Sequence, residues 1–307
     1  MIRRGEPGRE GRARAPGKLV LSGAYAVLRG APALVTAVDR FVVADTGRPA
    51  ALVTPEVRAA IGDAPAPWFD ASELRDEGRK LGLGSSAAIL VASLGALALR
   101  DGAAAAGLGE ALLARAAAAH RAAQGGGSGI DVAASALGGV LRAESSAGEV
   151  TARRVRLPAG LDVEVWASSR SVATSGMLRA VEALSASDPT TFERRMGAQR
   201  AAAERAAAAV DAADRDALLA ALAEQGTALA ALGDAAGVPI VDELGRFLSS
   251  AAAAQGGAFL PSGAGGGDVS IHVAPGPSTP ALRRLAEAGG LSRLPLAIGA
   301  PGVEPAA

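Results

Sequence analysis

Cysteine is absent from the 307 residues, which excludes disulfides and thiolate metal sites. Histidine is nearly absent: His120 and His272 alone cannot build a histidine-rich metal centre. Aromatic residues make up only 3% of the chain although 50% of it is hydrophobic, so the core has to come from Ala, Val and Leu in closely packed helices. Neither charge sign is in excess. The formal net charge is +0, whereas a nucleic-acid binder normally carries a basic surplus. A membrane span is missing as well. Residues 81–99 hold no charge, but they open with glycines and serines, and the apolar part, 87–99, is too short to cross a bilayer. It reads as a buried helix. The arginine-rich start, residues 1–13, has no apolar segment and reads as a short disordered arm, not a secretory signal. The expectation is a cytoplasmic protein with no nucleic-acid and no membrane partner, a monomer or homodimer.

What is present is glycine placed before helices. Gly82-Leu83-Gly84-Ser85-Ser86 runs straight into apolar residues of good helix propensity. A helix start leaves N–H groups without partners and carries partial positive charge. A glycine turn feeding it makes an anion site, and phosphate is the usual guest. The alternative for this stretch alone is a plain glycine turn and helix cap.

In chain order, Lys18 to Leu21 reads as a strand, followed by a Ser22-Gly23 turn. Residues 24–28 and 33–38 read as further strands, split by Gly30-Ala31-Pro32, and 40–45 as more strand. Residues 47–80, with four prolines, read as loop with short irregular elements. A helix is expected over 109–123. A second glycine run, 125–129, precedes another helix start with Asp131 in its first turn, where an acid suits the helix dipole. A strand is expected at 161–167, then a polar loop. Asp188-Pro189 opens a helical region to about Leu232 with a break near 211–214. One further helix ends at Gly256-Gly257. Strand, glycine loop and strand follow over 258–274, then a helix at 280–288 and a strand at 294–298. The pattern is mixed α+β.

Three glycine-rich segments and a lysine at a strand mouth form an ordered set. Ala15-Pro16-Gly17-Lys18 through Tyr25-Ala26-Val27 resembles the first motif of the GHMP kinase superfamily, the small-molecule kinases that include galactokinase, homoserine kinase and mevalonate kinase. Gly82-Leu83-Gly84-Ser85-Ser86-Ala87-Ala88 resembles its phosphate loop, and Ser262-Gly263-Ala264-Gly265-Gly266-Gly267-Asp268 its third motif. Within the superfamily, Gly127-Ser128-Gly129-Ile130-Asp131-Val132-Ala133 and the run from Pro261 to Asp268 resemble the phosphomevalonate kinase group. Trp166 and Thr174-Ser175 resemble it more loosely.

The resemblance implies a two-part fold: a β-rich α/β N-terminal domain over 14–160 and an α+β C-terminal domain over 161–307. It implies ATP and Mg²⁺ as cofactors, with ATP held by Gly82, Leu83, Gly84, Ser85, Ser86 and Ala87. Ser86 is the implied Mg²⁺ ligand, Asp131 the base and Lys18 its electrostatic partner. Tyr25, Ser128, Gly129, Thr174, Ser262, Gly263, Ala264 and Gly265 are the implied substrate contacts. The implied reaction carries 5-phosphomevalonate to its diphosphate. Mevalonate or another small alcohol as acceptor, and an inactive nucleotide-binding protein on the same fold, are the alternatives. Three positions depart from the pattern: Ala24 where many relatives have Glu, Leu260 where phosphomevalonate kinases often have Lys, and His120 where mevalonate kinases place a second carboxylate for Mg²⁺. His120 reads as a packed helix residue. Arg170 or Arg142 would compensate for the lost lysine.

Overall fold

The computed structural model describes residues 10–76, 79–168 and 174–307, without the side chains of Thr174 and Ser175. The β-branched and apolar opening forms β1 (Arg12–Ser22). The strand thus begins inside the stretch read as an arm, and Ala13 is fully buried; residues 1–9 lie outside the described residues. Residues 24–28 are not a strand. Gly23 and Gly30 take positive φ on either side of a 3-10 turn, Ala26–Arg29. The two next expected strands are one, β2 (Ala33–Pro49). The proline-rich stretch is more ordered than expected. Thr54 accepts from the Val57 N–H and Pro55 stands in the first turn, so α1 (Pro55–Ile61) forms. β3 (Pro67–Asp70) follows, then a hairpin of β4 (Arg75–Asp76) and β5 (Arg79–Lys80).

Next come α2 (Ser85–Arg100), α3 (Leu108–Gln124) and α4 (Ile130–Leu137). Then β6 (Val140–Ser146) and β7 (Glu149–Val155) extend an antiparallel sheet in the order β1-β2-β6-β7, with β3 on β2. α2 is the hub. It packs on β1, β2, α1, α3 and α4, and every residue from Ala87 to Ala96 is buried. A helix apolar all round must be interior or in lipid. This one is interior, and no described helix is long and apolar enough to cross a membrane.

The second half holds β8 (Asp162–Ser168), α5 (Thr174–Ser187), α6 (Pro189–Asp211), α7 (Arg215–Ala236), α8 (Glu243–Ala253), β9 (Ala258–Pro261), β10 (Val269–Ala274), α9 (Pro280–Ala288) and β11 (Leu291–Leu294). Its sheet runs β11-β8-β10-β9, all antiparallel. α5 stands where a loop was expected. The final strand lies earlier than expected, with Ile298 only bridging Val38. The chain then returns to the first sheet as β12 (Glu304–Pro305), paired with β1.

A buried charged cluster sits on the second sheet. Glu164 on β8 faces His272 on β10 at 3.7 Å, with Arg293 at 3.2 Å and Arg283 at 3.8 Å from the carboxylate. Burial pushes His272 below its ordinary value of 6.5, against the pull of Glu164 and Asp162. Burial alone would raise Glu164, but the Ser278 hydroxyl, His272 and the two arginines outweigh it and hold the carboxyl below its ordinary value of 4.5. In both cases the unfolded chain binds protons before the folded one does. Their contribution to stability is therefore complete above pH 6.5, falls as His272 titrates in the unfolded chain and falls again below pH 4.5. Urea midpoints should drop between pH 7.5 and 5.5, and His272→Gln should flatten that part of the profile while leaving the lower one.

Candidate active site

Five of the described helices have their first turn closed by a side chain. Thr54, Asp188, Asp214, Asp242 and Thr279 accept from the N–H groups of α1, α6, α7, α8 and α9. By contrast, α2 and α4 start on Gly84 and Gly129, both left-handed, with no side-chain cap. (α3 also starts on a glycine, Gly107, but that start is not part of the cleft wall, which α3 reaches only at its far end through His120 and Gln124.) The free N–H groups of α2 and α4 open on one cleft of about 1010 Å³. Lys18, Tyr25, Gly82, Gly84, Ser85, Ser86, Ser128, Gly129, Asp131, Ser262, Gly263, Ala264 and Gly265 all line it. Leu83 and Ala87 do not. Leu83 points inward and is 1% exposed, and Ala87 is fully buried under the loop. The side chain of Thr174 lies outside the described residues.

Lys18 is held from two sides. A register shift between Pro16 and Gly17 re-aims the strand. The Lys18 N–H donates to Leu83 O at 2.8 Å, tying β1 to the phosphate-loop candidate, and Nζ donates to Gly82 O at 3.4 Å. Burial pushes its ammonium below the usual lysine range, opposed by the charges of Asp131 and Asp268. Asp268, quoted in the third motif without a role, is thus part of the site. Its Oδ1 is buried and has no hydrogen-bond partner among the described residues.

Asp131 stands in the first turn of α4. Its Oδ1 accepts from the Val132 N–H at 2.9 Å, and Oδ2 lies 3.6 Å from His120 Nε2. The same nitrogen is 3.2 Å from Ser86 Oγ. His120 is therefore not simply a packed helix residue: it lines the cleft between the two expected functional side chains. Ser86 Oγ and His120 Nε2 are oxygen and nitrogen donors suited to a divalent cation on a nucleotide phosphate.

The third loop is fastened across the cleft. Ser262 Oγ accepts from the Val20 N–H at 2.9 Å, and Tyr25 donates its hydroxyl to Ala264 O at 2.6 Å. Burial raises the Tyr25 hydroxyl well above its ordinary value, so it stays a donor. Beneath it, Gln225 accepts from the Ser22 hydroxyl and the Gly23 N–H, and donates to Gln199.

The cleft is also lined by Val27, Leu28, Val181, Phe192 and Met196, and by the charged Arg29, Arg179 and Glu182. Arg29 lies over the Phe192 ring at 5.1 Å and 3.5 Å from Glu182. Nothing in the local sequence marked these two arginines, because they come from a 3-10 turn and a helix far apart in the chain. Arg142 is occupied elsewhere, paired with Glu144 and Asp211, and Arg170 lies outside the described residues. Leu260 borders a different cavity, beside Trp166.

No family model matches the chain. It is 28% identical over 332 aligned positions to phosphomevalonate kinase of Streptomyces sp. (strain CL190), across 84% of this chain and 88% of that protein. Its fold matches Streptococcus pneumoniae phosphomevalonate kinase in complex with phosphomevalonate and AMPPNP, with a TM-score of 0.75 at 19% identity over 94% of this chain and 99% of that one. It also matches L. major mevalonate kinase in complex with R-mevalonate, with a TM-score of 0.68 at 16% identity over 98% and 99%. The fold is the α+β fold of these small-molecule kinases. The three motifs that resemble those of the GHMP kinase superfamily stand in order along it.

Gly84 shows how tight the cleft is. Its φ is 76°, and a Cβ there would lie 2.8 Å from Lys18 Cγ. A left-handed alanine costs about 1–2 kcal/mol before any clash. Gly84→Ala should weaken nucleotide binding by calorimetry at least about tenfold and lower the thermal midpoint by a few degrees. Gly62→Ala, also at positive φ (63°) but with open space around it, should lower the midpoint and leave nucleotide binding unchanged.

Proposed function

We propose that this chain is an ATP-dependent kinase that transfers the γ-phosphoryl group to 5-phosphomevalonate. The observation that carries the reading is the meeting of two uncapped helix starts, Lys18 and Asp131 in one cleft that two arginines also line. The N–H groups at the start of α2, with Ser85, hold the nucleotide phosphates. Ser86 would hold the accompanying divalent cation, which supplies charge neutralisation when bound. Lys18 stabilises charge on the transferred group, and Asp131 keeps the ammonium oriented. The third loop, Ser262 to Gly265, covers the phosphates from the opposite side.

The acceptor sets what Asp131 has to do. An alcohol keeps its proton until late in transfer and needs a base. A phosphate monoester has its second pKa near about 6 and is largely dianionic at neutral pH. With 5-phosphomevalonate, Asp131 removes only a residual proton and acts chiefly through Lys18. Arg29 and Arg179 bind the acceptor's anionic groups, and the apolar wall accommodates its methyl-branched carbon chain. They take the place of the lysine that Leu260 lacks.

The test is ADP release with ATP and Mg²⁺, with 5-phosphomevalonate and mevalonate compared side by side. The expected result is turnover with the phosphorylated acceptor at a much higher kcat/KM. Preference for mevalonate would overturn the acceptor assignment, and ATP binding without turnover on either would make the chain a nucleotide-binding protein. Arg29→Ala and Arg179→Ala should each raise KM for 5-phosphomevalonate about 10–100-fold, the value of a charge-assisted contact. Asp131→Asn should lower kcat about 10²-fold, and Lys18→Met further.

A further inference from the structure

We propose that His120 is a nitrogen ligand of the nucleotide-borne cation, and that it moves the preference of the site from Mg²⁺ toward Mn²⁺ and Co²⁺. The proposal rests on the nucleotide half of the function above and is independent of the acceptor.

Three donor atoms from three helices converge at the mouth of the phosphate loop. They are Ser86 Oγ on α2, His120 Nε2 on α3 and Asp131 Oδ2 on α4, with the imidazole nitrogen 3.2 Å from the first and 3.6 Å from the third. Ligands on adjacent vertices of an octahedral ion with bonds of about 2.1 Å lie about 3 Å apart. The Ser86–His120 pair already has that spacing. A histidine serving only to pack helices would turn its ring nitrogens toward a backbone carbonyl or the core. His120 is buried along its ring, but its Nε2 faces two polar side chains at the edge of the cleft. Its helix is fixed from below, where Gln124, one turn on, donates to the buried Glu56 of α1. The imidazole is thus presented by a rigid support rather than a loop.

The three donors differ in what they are free to do. Asp131 Oδ1 is engaged by the Val132 N–H, and the carboxylate interacts with the Lys18 ammonium. Ser86 is neutral, and His120 has the Asp131 carboxylate beside it but no cation. A neutral imidazole is the commonest nitrogen ligand for metals. Mg²⁺ prefers oxygen donors and parts reluctantly with water, while the transition ions gain more from an imidazole nitrogen, Co²⁺ more than Mn²⁺. One nitrogen in place of a carboxylate therefore weakens the site for Mg²⁺ relative to its softer neighbours.

The experiment is pulsed EPR on the full-length protein with Mn²⁺ and AMPPCP, whose bridging carbon places no nitrogen beside the ion. The expected spectrum shows ³¹P coupling from the phosphates together with ¹⁴N modulation of a directly bound imidazole. The ¹⁴N modulation should vanish in His120→Gln while the ³¹P coupling persists. Phosphate coupling without nitrogen coupling in the unmodified protein overturns the proposal and leaves the nucleotide reading intact. Absence of phosphate coupling overturns both. As a second measurement, the ratio of AMPPCP affinities with Mn²⁺ and with Mg²⁺ should fall at least about fivefold in His120→Glu. An unchanged ratio in a variant that still binds nucleotide overturns the selectivity claim.

Discussion

A buried ammonium must be answered by negative charge or given up. Lys18 meets that constraint, and much of the surrounding structure follows from it. The bulged first strand turns Lys18 toward the glycine loop, where the Gly82 and Leu83 carbonyls receive its two N–H donors. Asp131 arrives from α4 and Asp268 from the third loop, so the two ends of the chain contribute to one charge balance. Asp268 packs so closely on Gly82 that a Cβ there would lie 2.8 Å from its own. The glycine is required by the close approach of Asp268 as much as by the turn.

The helix starts divide the molecule by purpose. Five helices that start away from the cleft, α1 and α6 to α9, have Thr or Asp closing the first turn, three of them with proline behind it. Where a helix serves the cleft, glycine leaves the turn open. An open start is a small sacrifice in the free fold, since glycine in place of Ser, Thr or Asp at the cap costs only about a few tenths of a kcal/mol. An anionic ligand makes up that loss by acting as the cap.

The same logic explains what could be read from the one-dimensional chain. Local chemistry was legible: Asp188-Pro189 opened a helix, the glycine runs 82–86, 125–129 and 263–267 lay at one cleft, and the break near 211–214 separated two helices. Alternating apolar residues misled at 24–28, where positive φ at Gly23 and Tyr25 breaks the strand before it forms. α5 stayed hidden behind a polar run, and α1 behind prolines that in fact start it. The site residues that were missed share one property: their meaning depends on distant partners. Arg29 matters because α5 and α6 bring Glu182 and Phe192 to it, and His120 because α2 and α4 deliver Ser86 and Asp131 to its edge. The scarcity of aromatics did carry through, as alanine leads the packing of α2 and α6 and leucine that of α7.

That scarcity also makes the protein readable by light. It has two tryptophans, one in each sheet. Trp68 on β3 lies under the Arg48 guanidinium at 4.6 Å, half-exposed in the first sheet. Trp166 on β8 is 1% exposed and pairs in register with Ser270, two residues beyond the Gly263–Asp268 loop. One indole emits from a dry, apolar surrounding and the other from beneath a cation at the surface, so their emission separates by wavelength. The fold therefore contains an intrinsic optical probe in each of its two larger sheets, and Trp166 adjoins the glycine loop of the third motif.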